Sequence, residues 1–343
     1  MNDRLLRACR LQPTDTTPVW FMRQAGRSLP EYRAIRRRAS LEEIVADPAL
    51  CAEVTLQPVR RLGVDAAILF ADITTPLRGI GLDVRIVDGV GPVLDAPVSA
   101  PGDLERLQAF EPDEAVGPLL AAIRLLRREL AVPLIGFAGA PFTLASYVVA
   151  TRPSRDASAM KRLLREAPAV AIALLDRLAD VSIAYLRAQV EAGVEVVQLF
   201  DSWVGALSPA DYRRFVAPPT ARIFAALAPL GVPTIHFGTG TAGLLEAMAA
   251  AGGEVVGVDW RIGLGDAWAR LPGRAIQGNL DPQLMLGSWP DARRQVDGIL
   301  DEAGGRPGHV FNLGHGVLPA TDPDQLRRVV DLVHERGARQ AAA

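Results

Sequence analysis

The chain is poor in the residues that covalent, metal and nucleotide chemistry most often require. Its 343 residues include 2 cysteines, Cys9 and Cys51, far apart and outside any CxxC. That count argues against a disulfide scaffold or a thiolate metal knuckle and leads us to expect reduced thiols in the cytoplasm. Of 37 lysines and arginines only Lys161 is lysine, and it sits in the charged helical stretch AMKRLLRE. A Schiff-base or pyridoxal-phosphate enzyme needs a buried, activated lysine, so that chemistry is excluded. The 4 histidines form no HExxH, and GxxxxGK[ST] does not occur, so neither a zinc site nor a P-loop is expected. No apolar run reaches the ~18 residues of a membrane-spanning helix. The opening MNDRLLRACR lacks the apolar stretch of a secretory signal. A net charge of −2 gives no field for nucleic acid or a membrane surface.

What the chain does have is apolar material, 49% of its residues, arranged in short β-rich runs that alternate with longer helical ones. The runs Val19–Met22, Ala66–Phe70, Leu134–Phe137, Glu195–Leu199, Thr234–Phe237, Val255–Asp259, Ala275–Gly278 and His309–Leu313 read as strands buried on both faces. Between them Leu174, Leu178, Val181 and Tyr185, and later Leu326, Val329, Val330 and Val333, keep helical spacing. This alternation predicts an α/β fold, a single (β/α)8 TIM barrel over residues 1–343. The surplus length falls in an N-terminal arm and a β-hairpin excursion after the second strand, VRIVDGVGPVLDAPV, turning at Val90, Gly91 and Pro92. A doubly wound open sheet uses the same alternation and stays possible.

In a barrel, function belongs at the C-terminal ends of the strands. There the sequence places Arg23 and Arg27, Asp72, Phe137 and then Tyr147, Asp201 and Ser202, His236, Asp259, Asn279, and His315 between two glycines. Two arginines among few acids point to an anionic ligand. Arg23 and Arg27, four residues apart, would share one face of a helical turn and could grip carboxylates through their planar forks. Asp72 is either a loop cap or an ionised acceptor for ligand N–H groups. His309 at a strand start and His334 in a charged helix end are expected to be structural or solvent-facing. Gly238, Gly240 and Gly243 fall in GxGxxG spacing with Asp259 about 20 residues on, which formally completes a dinucleotide fingerprint. An NAD-linked oxidoreductase using Gly238–Asp259 is therefore an alternative reading, weakened because this is the fifth βα unit of the series.

The segments PVWFMRQAGR (Pro18 to Arg27), FADI around Asp72, GFAGAPFTLASYVVA (Gly136 to Ala150), LFDSWVGALSP around Ser202 and NLGHGV around His315 together resemble the uroporphyrinogen decarboxylase family over nearly the whole chain. The resemblance implies a barrel, a homodimer, and decarboxylation without metal or organic cofactor of the four acetate arms of uroporphyrinogen III, giving coproporphyrinogen III. It makes Arg23 and Arg27 the carboxylate pair, with Gln24, Ala25 and Gly26 between them at the substrate. Asp72 becomes the central acceptor for pyrrole N–H groups, and Phe137, Tyr147, Ser202 and His315 become pocket residues. Asp72, Arg23, Arg27, Tyr147 and His315 form the implied catalytic set. Ser28 departs from the Tyr usual in the family, and Ala150 and Thr151 depart from an acid and a Gly. A non-catalytic tetrapyrrole-binding barrel is a second alternative. The proton donor stays open among His315, Tyr147, a water and a substrate carboxylic acid.

Overall fold

A computed structural model describes residues 2–341 except 88–90, 152–153 and 155. Nine strands occur in chain order: β1 (Ala67–Ile68), β2 (Val84–Val87), β3 (Gly91–Leu94), β4 (Leu134–Gly139), β5 (Val196–Asp201), β6 (Thr234–Gly238), β7 (Val255–Gly257), β8 (Ala275–Leu280) and β9 (His309–Leu313). Seven of them form one parallel sheet in the order β1-β4-β5-β6-β7-β8-β9. The parallel strands from β4 onward are buried along almost their whole length, as a sheet covered by helices on its outside requires. β2 and β3 pair antiparallel, Val84 opposite Leu94, as the expected hairpin excursion after the second strand. Gly91 and Pro92 lie within β3 rather than in its turn, and Val90 lies outside the described residues. The long helices follow the expected spacing: Leu174, Leu178, Val181 and Tyr185 are buried on Pro168–Ala192, and Leu326, Val329, Val330 and Val333 on Pro323–Ala341.

The expected first strand, Val19–Met22, closes the barrel in a different way. It makes an isolated parallel bridge, Val19 to Phe311 on β9. The Phe311 N–H donates to Pro18 O at 2.8 Å and the Asp65 N–H to Val19 O at 2.8 Å. The Trp20 N–H donates to Phe311 O at 3.3 Å, and the donors of Val19, Phe21 and Met22 go to side chains. The Val19 N–H meets Asp65 Oδ2 at 2.8 Å, the Phe21 N–H meets Gln24 Oε1 at 2.9 Å, and the Met22 N–H meets Asn312 Oδ1 at 3.1 Å. Gln24 Nε2 then donates to Ala66 O at 2.8 Å, so one amide spans the gap between this segment and the start of β1. Buried backbone donors must be paired, and here side chains supply what a regular ladder would have supplied.

Asp65 is the hub of this seam. It is 1% exposed and also accepts from Asn2 Nδ2 at 2.7 Å and Arg4 Nη1 at 3.0 Å. His334, expected to face solvent, instead places Nε2 2.7 Å from Asp65 Oδ2. The C-terminal helix is thereby tied to the barrel seam. Burial opposes ionisation of Asp65, but His334, the Val19 N–H and Asn2 outweigh it and hold the carboxyl below its usual range. Cys9 and Cys51 are free and buried, and burial pushes both thiols up to about 12.

Removing Asp65 leaves the Val19 N–H without its acceptor and takes a shared partner from Asn2, Arg4 and His334 at a buried seam. Asp65→Ala is expected to cost about 3–5 kcal/mol, measured as the loss of unfolding free energy in urea. Because the folded carboxyl titrates below its unfolded value, its contribution is complete near neutral pH. It should disappear as the pH falls below the ordinary carboxylate range, so wild type and variant should converge in stability under acid.

Candidate active site

The C-terminal ends of the strands surround a cavity of about 180 Å³. Its floor is aromatic. Phe137 on β4 stands edge-to-face on Phe200 at 5.5 Å, Phe200 on Phe237 at 5.8 Å, and Phe237 on His315 at 6.4 Å between ring centroids. Phe200 and Phe237 escaped the sequence analysis. The signal was there in the strand alternation: each precedes or follows a polar residue, Asp201 or His236, that points the opposite way.

Arg23, Ala25, Gly26, Arg27, Asp72, Phe137, Ser202 and His315 all line this cavity. The two arginines do not ride on a helical turn. Arg23 has φ +61° and Arg27 φ +33°, with Gly26 at φ +121° between them. This is left-handed backbone, strained by about 1–3 kcal/mol at a residue with a Cβ. The loop is held in that shape by Gln24 and by the Val317 N–H, which donates to Met22 O at 2.8 Å. Gly316 is the second constraint. A Cβ built on it would lie 2.4 Å from Arg23 Cδ and 2.7 Å from Cγ, so the Arg23 stem crosses a slot that glycine alone leaves open. Among the described residues neither guanidinium has a carboxylate within 4.0 Å.

Asp72 is the acid that faces these arginines. Its Oδ1 is held by Thr74, N–H at 2.9 Å and O–H at 2.6 Å. Among the described residues its Oδ2 receives no protein hydrogen bond. Burial draws the Arg27 guanidinium down from its ordinary value, as does Arg23, while Tyr32 and Asp72 act in the opposite sense; it stays charged. Burial first, then the charges of Arg23, Arg27 and Arg261, push His315 down to about 4. The imidazole is therefore neutral at physiological pH. Its Nδ1 accepts the Gly316 N–H at 2.6 Å, which leaves Nε2 as the protonated nitrogen. The arrangement can hold several carboxylates against unpaired guanidiniums, with one acceptor carboxylate at the centre and an apolar floor beneath.

Several residues read as rim groups are placed elsewhere. Gln24 is 1% exposed and holds the barrel seam rather than lining the cavity. Tyr147 lies outside the lining, edge-on to Trp203 at 6.0 Å; burial raises its phenol, which keeps its proton. His236 points out of the barrel onto Phe224, 5.1 Å away, and Asp201 accepts from Thr143 Oγ1 at 3.0 Å. His309 is buried with Nε2 3.0 Å from Gly278 O. Asn279 donates to Asp259 O at 3.0 Å and Ile262 O at 2.7 Å. Ser28 is buried away from the cavity. Ala150 and Thr151 follow the helix Pro141–Val148 and line nothing here, and Arg152, Pro153 and Arg155 lie outside the described residues.

The glycine-rich fingerprint loses its physical basis. Asp259 Oδ2, which would take a ribose hydroxyl, accepts the Gly240 N–H at 2.7 Å and pairs with Arg261. The turn at Thr239 and Gly240 packs against Gly205, where a Cβ would fall 2.1 Å from Thr239 O. Among the described residues no group of three or more His, Cys, Asp and Glu is placed to hold a metal ion, and no helix is long and apolar enough to cross a membrane.

Comparison with known proteins agrees with this geometry. The family model for uroporphyrinogen decarboxylase (URO-D) matches residues 1–336. A uroporphyrinogen decarboxylase from Thermus thermophilus is 54% identical over 338 residues, covering 98% of this chain and 99% of that protein. One from Streptomyces coelicolor is 54% identical over 340 residues, covering 98% and 96%, and one from Bacillus mycoides is 49% identical over 343 residues, covering 100% and 99%. Among solved structures, a methyltransferase from Methanosarcina mazei matches with a TM-score of 0.79 at 21% identity, covering 97% of this chain and 98% of that one; that likeness concerns the fold alone. With the family model spanning nearly the whole chain and relatives identical at about half of their positions, this chain belongs to the uroporphyrinogen decarboxylase family.

Proposed function

We propose that this chain is a carboxy-lyase that removes CO₂ from the four acetate arms of uroporphyrinogen III, giving coproporphyrinogen III in haem biosynthesis. The observation that carries the reading is an acceptor carboxylate, Asp72, set opposite two guanidiniums that have no carboxylate partner among the described residues, over an aromatic floor. The substrate is an octa-anion with inward N–H groups. Arg23 and Arg27 take its carboxylates, Asp72 Oδ2 takes pyrrole N–H groups, and Phe137, Phe200 and Phe237 receive the face of the macrocycle.

Protonation of a pyrrole carbon makes that ring cationic. The C–CO₂ bond then breaks, and its electron pair neutralises the ring. The exocyclic carbon takes a proton to become methyl, and the ring proton departs, so the net change is one proton taken up for each CO₂ released. The ring itself is the electron sink, and the reaction needs no added cofactor. Asp72 stabilises the cation through preorganised electrostatics in a site that excludes water. His315, neutral with Nε2 protonated, and Ser202 donate to acetate or propionate oxygens. Tyr147, behind Trp203, keeps its hydroxyl for the longer side-chain arms. The whole chain acts as one barrel domain, as a homodimer in the cytoplasm. The direct test is incubation with uroporphyrinogen and separation of products bearing eight to four carboxylates.

Four outcomes are expected. Asp72→Asn keeps the side-chain shape, loses the charge and turns an NH₂ toward pyrrole N–H groups. It should lose most turnover while its circular dichroism stays native; near-native turnover would remove Asp72 from the centre of the mechanism. Arg23→Lys and Arg27→Lys keep charge without the fork, and each should lower kcat/KM roughly tenfold or more, on the order of 1–3 kcal/mol. Gly316→Ala, which displaces the Arg23 stem, should lower it as Arg23→Lys does. Near-native kcat/KM in the Lys variants at low salt would leave only general attraction. Light scattering at micromolar concentration should report twice the chain mass.

A further inference from the structure

We propose that Thr74 is a positioning residue for the decarboxylation, fixing which oxygen of Asp72 meets the substrate; this rests on the central role of Asp72 stated above. Asp72 ends the passage out of β1, and the 3-10 helix Thr75–Ile80 begins three residues later. A turn of this kind needs one bond from a side-chain oxygen to a backbone N–H two residues on, and the Thr74 N–H supplies it at 2.9 Å. The turn is further closed by the Thr75 N–H to Asp72 O at 3.0 Å and by the Asp72 N–H to Thr75 Oγ1 at 3.2 Å. The Thr74 hydroxyl then adds a second bond to the same Oδ1 at 2.6 Å. Helix initiation does not require that bond. It is charge-assisted, and Thr74 is 3% exposed, so water does not compete for it.

The consequence is geometric. Two donors from one residue fix the torsion of the Asp72 carboxylate and engage Oδ1, which leaves Oδ2 as the oxygen for substrate N–H groups. The need for a lock is visible in the surroundings. Asp72 stands on a partition. On one side is the cavity with Arg23 and Arg27. On the other is a cavity of about 180 Å³ lined by Thr74, Glu42 and Arg78, where Arg78 lies 3.6 Å from Glu42 and donates to Val84 O at 2.9 Å. A carboxylate on such a wall has a cation to turn toward on either side. Thr74 determines that it faces the substrate.

The test compares steady-state turnover of uroporphyrinogen by wild type, Thr74→Val, Thr74→Ser and Asp72→Asn. Val keeps the shape and the backbone N–H but loses the hydroxyl; Ser keeps the hydroxyl and loses the methyl. The eight carboxylates of the substrate dominate its ground-state binding, whereas Asp72 acts on the cation, so a loosened Asp72 shows in kcat rather than KM. Thr74→Val is expected to lower kcat about tenfold or more with KM within about threefold, and Thr74→Ser to stay within about threefold of wild type in both. Wild-type kcat in Thr74→Val overturns the proposal. A Ser variant as slow as the Val variant also overturns it, because the loss would then lie in methyl packing. So does a Thr74→Val chain without native circular dichroism, which would make the hydroxyl a folding group. An inactive Asp72→Asn beside a fully active Thr74→Val removes the role of Thr74 alone, whereas an active Asp72→Asn removes the reading on which it rests.

Discussion

A barrel closed by a segment that forms almost no ladder must satisfy its backbone through side chains, and the rest of this structure depends on how that is done. Asp65, Gln24 and Asn312 take the amide hydrogens of Val19, Phe21 and Met22 in turn. A regular strand would have carried Arg23 onward with its ordinary alternation. Release from the ladder lets the chain turn through left-handed conformations at Arg23 and Arg27 and deliver both guanidiniums to the cavity mouth. The strain of those conformations is borne by a seam tied to the N-terminal arm through Arg4 and to the C-terminal helix through His334.

The electrostatics of the cavity follow from the same placement. Two guanidiniums that have no carboxylate partner among the described residues are kept beside a histidine that burial and positive neighbours hold neutral, so the site waits for anions rather than neutralising itself. Carboxylates from a ligand would satisfy the arginines and leave Asp72 to act on the ring system alone. The apolar floor matters here too. It lowers the local dielectric, so under the proposed mechanism Asp72 would hold a cationic ring more strongly than the same pair in water.

Much of the organisation was legible in the chain. Seven of the eight strands, the long helices and the hairpin after β1 follow from short apolar runs, 3.6-residue spacing and turn residues, because local patterning must agree with burial in the final sheet. Arg23, Arg27, Asp72, Phe137, Ser202 and His315 were recognisable as residues next to strand ends. The errors were of orientation. Gln24 belongs to the first motif yet serves the seam, and Tyr147 stands behind Trp203 rather than in the cavity lining. His236 and Asp201 sit at the correct height in the barrel and face its outside. His334 looked solvated and is hydrogen-bonded to the buried Asp65. Period-two alternation shows which residues share a face but does not say which face is inside.

The sequence by itself determined the fold class and the family, since these depend on residue types and on their spacing along one dimension. Tertiary structure decided how the barrel closes, which oxygen of Asp72 is free, and why glycine stands at Gly316. Each of those depends on atoms brought together from far apart in the chain, Gly316 against Arg23, His334 against Asp65, Gln24 against Ala66. The angle at which such segments meet is set by packing the whole core and by the requirement that every buried donor find an acceptor. No local pattern encodes that angle.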